Sequence, residues 1–143
     1  MFRFSLNLLL VLILGLVQLS SVPFIYGLKP NLVLVFVIAA SVFSRNSLEK
    51  IILVVFGALA IKFHPGFDWY DILFIMSALV GVSLVKYLKS QAIISVSVAV
   101  IVATIIINIT KLDSFIIIEI LMNLIIAWLM YAALKMTYGK NSI

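Results

Sequence analysis

Long apolar runs fill most of this chain, and charged or turn-forming residues separate them. The breaks are YGLKP, SRNSLEK, HPGFDWYD, KYLKS and TKLD. Charged and turn-forming residues such as these are avoided inside a helix in lipid. The runs cover about residues 4–24, 31–44, 51–63, 72–88, 91–110 and 114–136. This pattern predicts an all-α integral membrane protein with six transmembrane helices, in one domain over residues 1–143.

The second and third runs are shorter than a bilayer requires. Fourteen and thirteen residues reach only about 20 Å, against a hydrocarbon core of about 30 Å. We expect these spans either to take turns from their flanks, with Lys62 reaching outward, or to form a re-entrant hairpin shielded by other helices. Both alternatives leave the two chain termini on the same side.

Composition agrees with a chain whose solvent is lipid. The chain is 66% hydrophobic and 10% charged, whereas soluble domains are about a quarter charged. We therefore attribute the net charge of +5 to loops facing anionic lipid, and expect no nucleic-acid partner. No A-x-A-like cleavage site follows the first run, so we interpret that run as an uncleaved span and not as a signal peptide.

Lysine and arginine are distributed unequally between the two sides of a six-span chain. Seven lie on the side of the termini and three on the other, which predicts that both termini are cytoplasmic. The first group is Arg3, Arg45, Lys50, Lys86, Lys89, Lys135 and Lys140, and the second is Lys29, Lys62 and Lys111.

Few residues are suited to catalysis or to metal binding. The chain has no cysteine, one histidine and five carboxylates, and it carries no metalloprotease, nucleophile-elbow or phosphate-loop motif. His64, Asp68 and Asp71 share one external segment, but Pro65-Gly66 breaks the helical register between them. We expect no metal, no cofactor and no enzyme.

Polar residues recur on one face of the first run. Helical spacing aligns Asn7, Gly15 and Gln18, and a primary amide in hydrocarbon is costly unless it is hydrogen-bonded. This face therefore meets either another helix of the same chain or a different subunit.

The last run carries a second stripe, at four-residue spacing. Its members are Glu119, Asn123, Ala127 and Tyr131. An intramembrane carboxylate is a functional-site hypothesis by default. Glu119 is either protonated, paired with Lys62 or Lys111, in contact with a partner or ligand, or part of an ion path. Asn108 is placed to reach Glu119 or Asn123 across the tight TKLD connection.

One combination of these features resembles a known family. Gln18 ends the first span, a short external link follows, and Pro30-Asn31 opens LVLVFVIAASVF before the glycine-containing run ILVVFGALA. This arrangement resembles MreD, the small inner-membrane protein of bacterial rod-shape determination. The resemblance covers most of the chain in pattern and few positions in identity. Lys62 stands where the family has an acid, and Asn31 is neutral.

The resemblance implies a non-enzymatic scaffold of the cell-elongation machinery in the bacterial cytoplasmic (inner) membrane. It would bind an MreC-like single-span partner, and through it reach RodA, a penicillin-binding protein and, indirectly, the MreB filament. The expected helix-docking residues are Asn7, Gly15, Gln18, Pro30, Asn31, Glu119 and Asn123. Two alternatives stay open: a substrate-binding component of an energy-coupling-factor vitamin transporter, which is similar in fold, and an accessory subunit of another membrane complex.

Overall fold

Helices form where the sequence has its apolar runs. The structure, a computed structural model, describes residues 2–20, 29–44, 46–62, 68–88, 91–110 and 115–138. Over these residues it contains α1 (Phe2–Leu19), α2 (Leu32–Ser41), α3 (Ser47–Ala60), α4 (Trp69–Tyr87), α5 (Ala92–Ile107) and α6 (Ile116–Tyr138). The predicted all-α class with six helices is confirmed. Residues 21–24 of the predicted first span lie outside the described part.

Helix length separates these elements into two groups. α4 and α6, with 19 and 23 residues, are long and apolar enough to cross a membrane, whereas α1, α2 and α5 are shorter apolar helices. α2 has only ten residues and is about 15 Å long. It is thus even shorter than the sequence predicts.

α2 is the centre of the molecule. All ten of its residues are buried, and it packs against each of the other five helices. Those five surround it in the order α1, α3, α4, α5, α6, and a groove separates α6 from α1. This position explains why α2 is apolar on every side, since a helix without an exposed face needs no polar stripe.

The helices alternate in direction between two ends of the bundle. Gln18 near the end of α1 meets Asn31 before the start of α2, and Lys62 after α3 meets Asp71 in the first turn of α4. We call this the Asn31 end. At the opposite end, here called the Tyr138 end, the start of α1 and the end of α6 meet the residues that follow α2.

Small residues mark the closest helix contacts. A side chain at Gly15 would place its Cβ 2.7 Å from the backbone oxygen of Ala60, so α1 and α3 approach closely only because this residue is glycine. Small residues on α4 and α5 are buried as well: Ser77, Gly81, Ser95, Ala99 and Ala103. Such residues let helix backbones approach each other.

Candidate functional site

The start of α2 carries its own set of side-chain caps. The Oδ1 atom of Asn31 accepts a hydrogen bond from the Leu34 amide at 3.2 Å, and Oε1 of Gln18 accepts one from the Val33 amide at 3.0 Å. Gln18 Nε2 also donates to Asn31 Oδ1 at 3.2 Å. The first amides of a helix lack intrahelical partners, so these two side chains allow a buried helix to begin here.

Three further helices join at the same point. The Asn31 amide donates to Asn123 Oδ1 at 3.0 Å, and Asn123 Nδ2 donates to Thr104 Oγ1 at 3.0 Å. Asn31 Nδ2 donates to the Tyr70 hydroxyl at 3.3 Å. We call these residues the Asn31 cluster: Gln18, Asn31, Tyr70, Thr104 and Asn123. The cluster connects α1, α4, α5 and α6 to the start of α2.

Glu119 lies beside this cluster and is hydrogen-bonded across the α5–α6 hairpin. Asn108 Nδ2 donates to Glu119 Oε1 at 3.0 Å and to the Thr104 backbone oxygen at 3.0 Å. The predicted contact between Asn108 and Glu119 is therefore confirmed. Glu119 as a whole is half-buried.

A salt bridge ties α3 to α4 at the same end. Lys62 Nζ lies 3.0 Å from Asp71 Oδ2, with side chains 14% and 8% exposed. Asp71 also accepts a hydrogen bond from the Asp68 amide at 2.9 Å. The expectation that Lys62 reaches outward is wrong, because Asp71 holds its ammonium group inside the bundle. Of the predicted external segment, His64 and Pro65-Gly66 lie outside the described residues.

Aromatic side chains close the Tyr138 end. The Tyr138 hydroxyl donates a hydrogen bond to Asn7 Oδ1, and the Arg3 guanidinium lies 5.4 Å from the Tyr138 ring centroid. The ring of Phe43 lies 5.6 Å from that of Tyr131 and 5.7 Å from that of Tyr138. These contacts join the start of α1 and the end of α6 to the turn after α2.

An apolar groove runs between α1 and α6 from this end, with a volume of about 250 Å³. Phe36 of α2 forms its floor, and Thr137 and Tyr138 lie at its polar mouth. Its walls include Leu6, Leu10 and Leu14 from α1 and Met130, Ala133 and Leu134 from α6. We call it the α1–α6 groove.

The structure brings most of the predicted docking residues together at the Asn31 end. Gln18, Asn31 and Asn123 share one hydrogen-bond network, buried Pro30 precedes it, and Glu119 flanks it. Asn7 lies at the opposite end and Gly15 faces α3. Internal hydrogen bonding, the first alternative for the α1 face, is confirmed. A contact between any of these residues and a partner stays a prediction.

Sequence reasoning missed several members of these networks. The predicted docking residues do not include Tyr70, Thr104 or Tyr138, and the sequence does not predict the pair Lys62–Asp71. The signal that could have identified these members is a polar residue inside an apolar run or at its end. Within the described residues, each buried side-chain nitrogen and oxygen has a hydrogen-bond partner, and no three potential metal ligands cluster.

Comparison with known protein families, with curated proteins and with solved structures gave no match to this chain.

Proposed function

We propose that this chain is a multi-pass protein of the bacterial inner membrane that acts as a non-enzymatic, MreD-like scaffold. In this proposal all six helices cross the bilayer with both termini in the cytoplasm. The scaffold docks a single-span, MreC-like partner and connects it to peptidoglycan synthesis through RodA and a penicillin-binding protein.

The alternating helix directions support six crossings. α2 begins at the Asn31 cluster, and Phe43, two residues beyond its last residue, contacts Tyr138 at the other end of the bundle. A ten-residue helix is short for hydrocarbon, but five surrounding helices keep its ends away from lipid. The start of α3 and the end of α4 carry Lys50 and Lys86, which agrees with a cytoplasmic Tyr138 end.

The observation that carries the scaffold proposal is the division between polar interior and apolar exterior. The Asn31 cluster satisfies its buried polar atoms inside the chain, while large apolar residues of α1 and α6 point outward. Examples of these exposed residues are Leu9, Leu12, Leu16, Leu121, Ile125 and Leu129. The connections between helices are short, so a partner would meet mainly helix faces in the plane of the bilayer.

Gln18 and Glu119 are the docking candidates that remain accessible. Both are half-buried members of the predicted docking faces and lie at the Asn31 end, on either side of the buried Asn31. A hydrogen bond between helices in a membrane contributes about 0.6–2 kcal/mol, which favours one register of a docked helix over others.

Affinity purification from native membranes in mild detergent tests the proposal. We expect a single-span protein with an extracytoplasmic coiled coil to co-purify, together with cell-wall synthases. An ATPase pair with a coupling subunit would contradict the proposal and favour the transporter component. Recovery of the chain with neither set of proteins would also contradict it.

Variants of Glu119 locate the contact. We expect Glu119→Gln and Glu119→Leu both to release the partner from a protein that still elutes as a folded species. Ile125→Ala, an exposed position on the same helix, serves as the matched control and should retain the partner. Retention by Glu119→Gln, with loss of the fold only in Glu119→Leu, would mean that Glu119 acts within the chain.

A further inference from the structure

The α1–α6 groove differs from the close helix contacts in this molecule. Where helices pack tightly here, one side is a small residue, as at Gly15 against Ala60 or Gly81 against Ile38. The groove walls instead carry mainly large, flexible side chains, and the small residues of the lining, Ala133 and Thr137, both lie on α6. Small residues favour close docking of helices in membranes, and the α1 wall of the groove has none, so this wall is poorly suited to a docked helix.

The floor of the groove also limits the width of an occupant. Phe36 lines the groove, yet it is only 3% exposed, because the five surrounding helices already cover α2. A docked helix has a diameter of about 10 Å with its side chains, and would need α1 and α6 to separate before reaching this floor. A single hydrocarbon chain is much narrower than a helix, so it suits a groove of about 250 Å³ better.

The mouth of the groove is polar and cationic. Tyr138 and Thr137 line it, and the Arg3 guanidinium lies 5.4 Å from the Tyr138 ring centroid, with the Arg3 side chain exposed. Lys135 is exposed in the same last turns of α6. The described charged residues at this end of the bundle are Arg3, Glu49, Lys50, Lys86 and Lys135, which is four cations against one anion.

We propose that the α1–α6 groove binds one acyl chain of an anionic phospholipid from the cytoplasmic leaflet, with the lipid phosphate on Arg3. Arginine presents several N–H donors in a planar fork that matches a phosphate group. The cytoplasmic end of a partner helix commonly carries lysine or arginine, which Arg3 would repel, whereas an anionic headgroup complements it. This inference rests on the membrane orientation in the proposed function and not on the identity of the protein partner.

Native mass spectrometry of the purified, delipidated chain tests the inference, with dioleoyl phosphatidylglycerol and dioleoyl phosphatidylcholine as probes. We expect the wild-type chain to bind the anionic lipid about tenfold more tightly, because both headgroups offer a phosphate to Arg3 but only phosphatidylcholine also carries a cation, which Arg3 and the neighbouring cations repel. Arg3→Gln should remove this preference. Ala133→Phe, which fills the groove from an exposed wall position, should weaken binding of both lipids.

Lys86→Gln is the matched control, because it removes an exposed cation at the same end on a helix that does not line the groove. It should bind both lipids as the wild type does. Equal binding of the two lipids by the wild type would overturn the inference. So would loss of preference in Lys86→Gln, unchanged binding in Ala133→Phe, or crosslinks that place a protein helix in the groove.

Thermal unfolding in detergent shows whether each variant is folded, and Ala133→Phe keeps the inference open to contradiction if Arg3→Gln unfolds. Because the lipid assay uses the purified chain alone, its failure would leave the scaffold proposal standing. Failure of partner co-purification would likewise leave a positive lipid result standing.

Discussion

At the residue scale, Asn31 determines where α2 can begin. Its side-chain oxygen caps the helix, its side-chain nitrogen reaches Tyr70, and its backbone amide reaches Asn123. A buried polar group is tolerated only when it is hydrogen-bonded, and each of these groups is. The sequence predicts that polar residues within the spans seek partners, and at this position the partners are all within the chain.

Asn123 is the residue whose loss should affect this cluster most. Asn123 is fully buried, and Asn123→Ala would leave the Asn31 amide and the Thr104 hydroxyl without their partner. We expect a loss of about 1–3 kcal/mol in unfolding free energy, measured by denaturation in detergent. Ile125→Ala, two positions along the same helix and exposed, should change stability far less. Equal stability of Asn123→Ala and wild type would contradict the structural role.

Gly15 supplies a second test at this scale. Alanine favours a helix over glycine by about 1 kcal/mol, but the new Cβ would lie 2.7 Å from the Ala60 backbone oxygen. A backbone oxygen cannot rotate away, so we expect Gly15→Ala to lower stability by about 1–3 kcal/mol. Leu16→Ala, at the exposed neighbouring position, is the control. An increase in the melting temperature of Gly15→Ala would show that α1 and α3 are not held at this distance.

At the element scale, the short α2 depends on the helices around it. Isolated helices of fewer than about 12 residues are marginal even in favourable sequences, so α2 is stable because its whole surface is packed. The length of its apolar run predicts either extra turns from its flanks or a re-entrant hairpin shielded by other helices, and in the structure α2 gains no turns and all five other helices pack against it. The apolar run does not indicate that α2 contacts all five other helices, because the sequence shows only that every side of α2 is apolar.

The salt bridge between Lys62 and Asp71 should be most visible when only one partner is removed. Lys62→Met leaves a buried carboxylate without its cation, and we expect a loss of about 3 kcal/mol. Asp71→Asn keeps an acceptor for the Asp68 amide while it removes the charge. The double variant should therefore be more stable than Lys62→Met alone, as measured by thermal unfolding. Additive effects of the two changes would show that the ions do not interact.

At the scale of the whole molecule, much of the architecture follows from the order of runs and breaks. Six apolar runs with short connections predict six helices of alternating direction, and the described helices have this arrangement. The order in which the other five helices surround α2 does not follow from the sequence, because the same connections between helices allow several such orders. The α1–α6 groove exists because α1 and α6, the first and last helices, are the two adjacent helices around α2 that do not pack closely against each other.

The proposed orientation can be tested with single cysteines, because the chain has none of its own. Lys29→Cys lies at the Asn31 end and Ser47→Cys at the Tyr138 end, and both positions are exposed. We expect a membrane-impermeant maleimide to label Lys29→Cys in intact spheroplasts, and Ser47→Cys only after permeabilisation. Labelling of both from outside would contradict alternating crossings, and the reverse pattern would contradict cytoplasmic termini.

The sequence by itself determined the helical class, the approximate spans and the faces that must be buried. These depend on local quantities: run length, helical period, and the cost of an unpaired amide in an apolar medium. Only the tertiary structure decided that Gln18 caps α2, that Lys62 pairs with Asp71, and that Arg3 lies over Tyr138. Each of these contacts joins different helices, and their relative placement depends on how all six pack together.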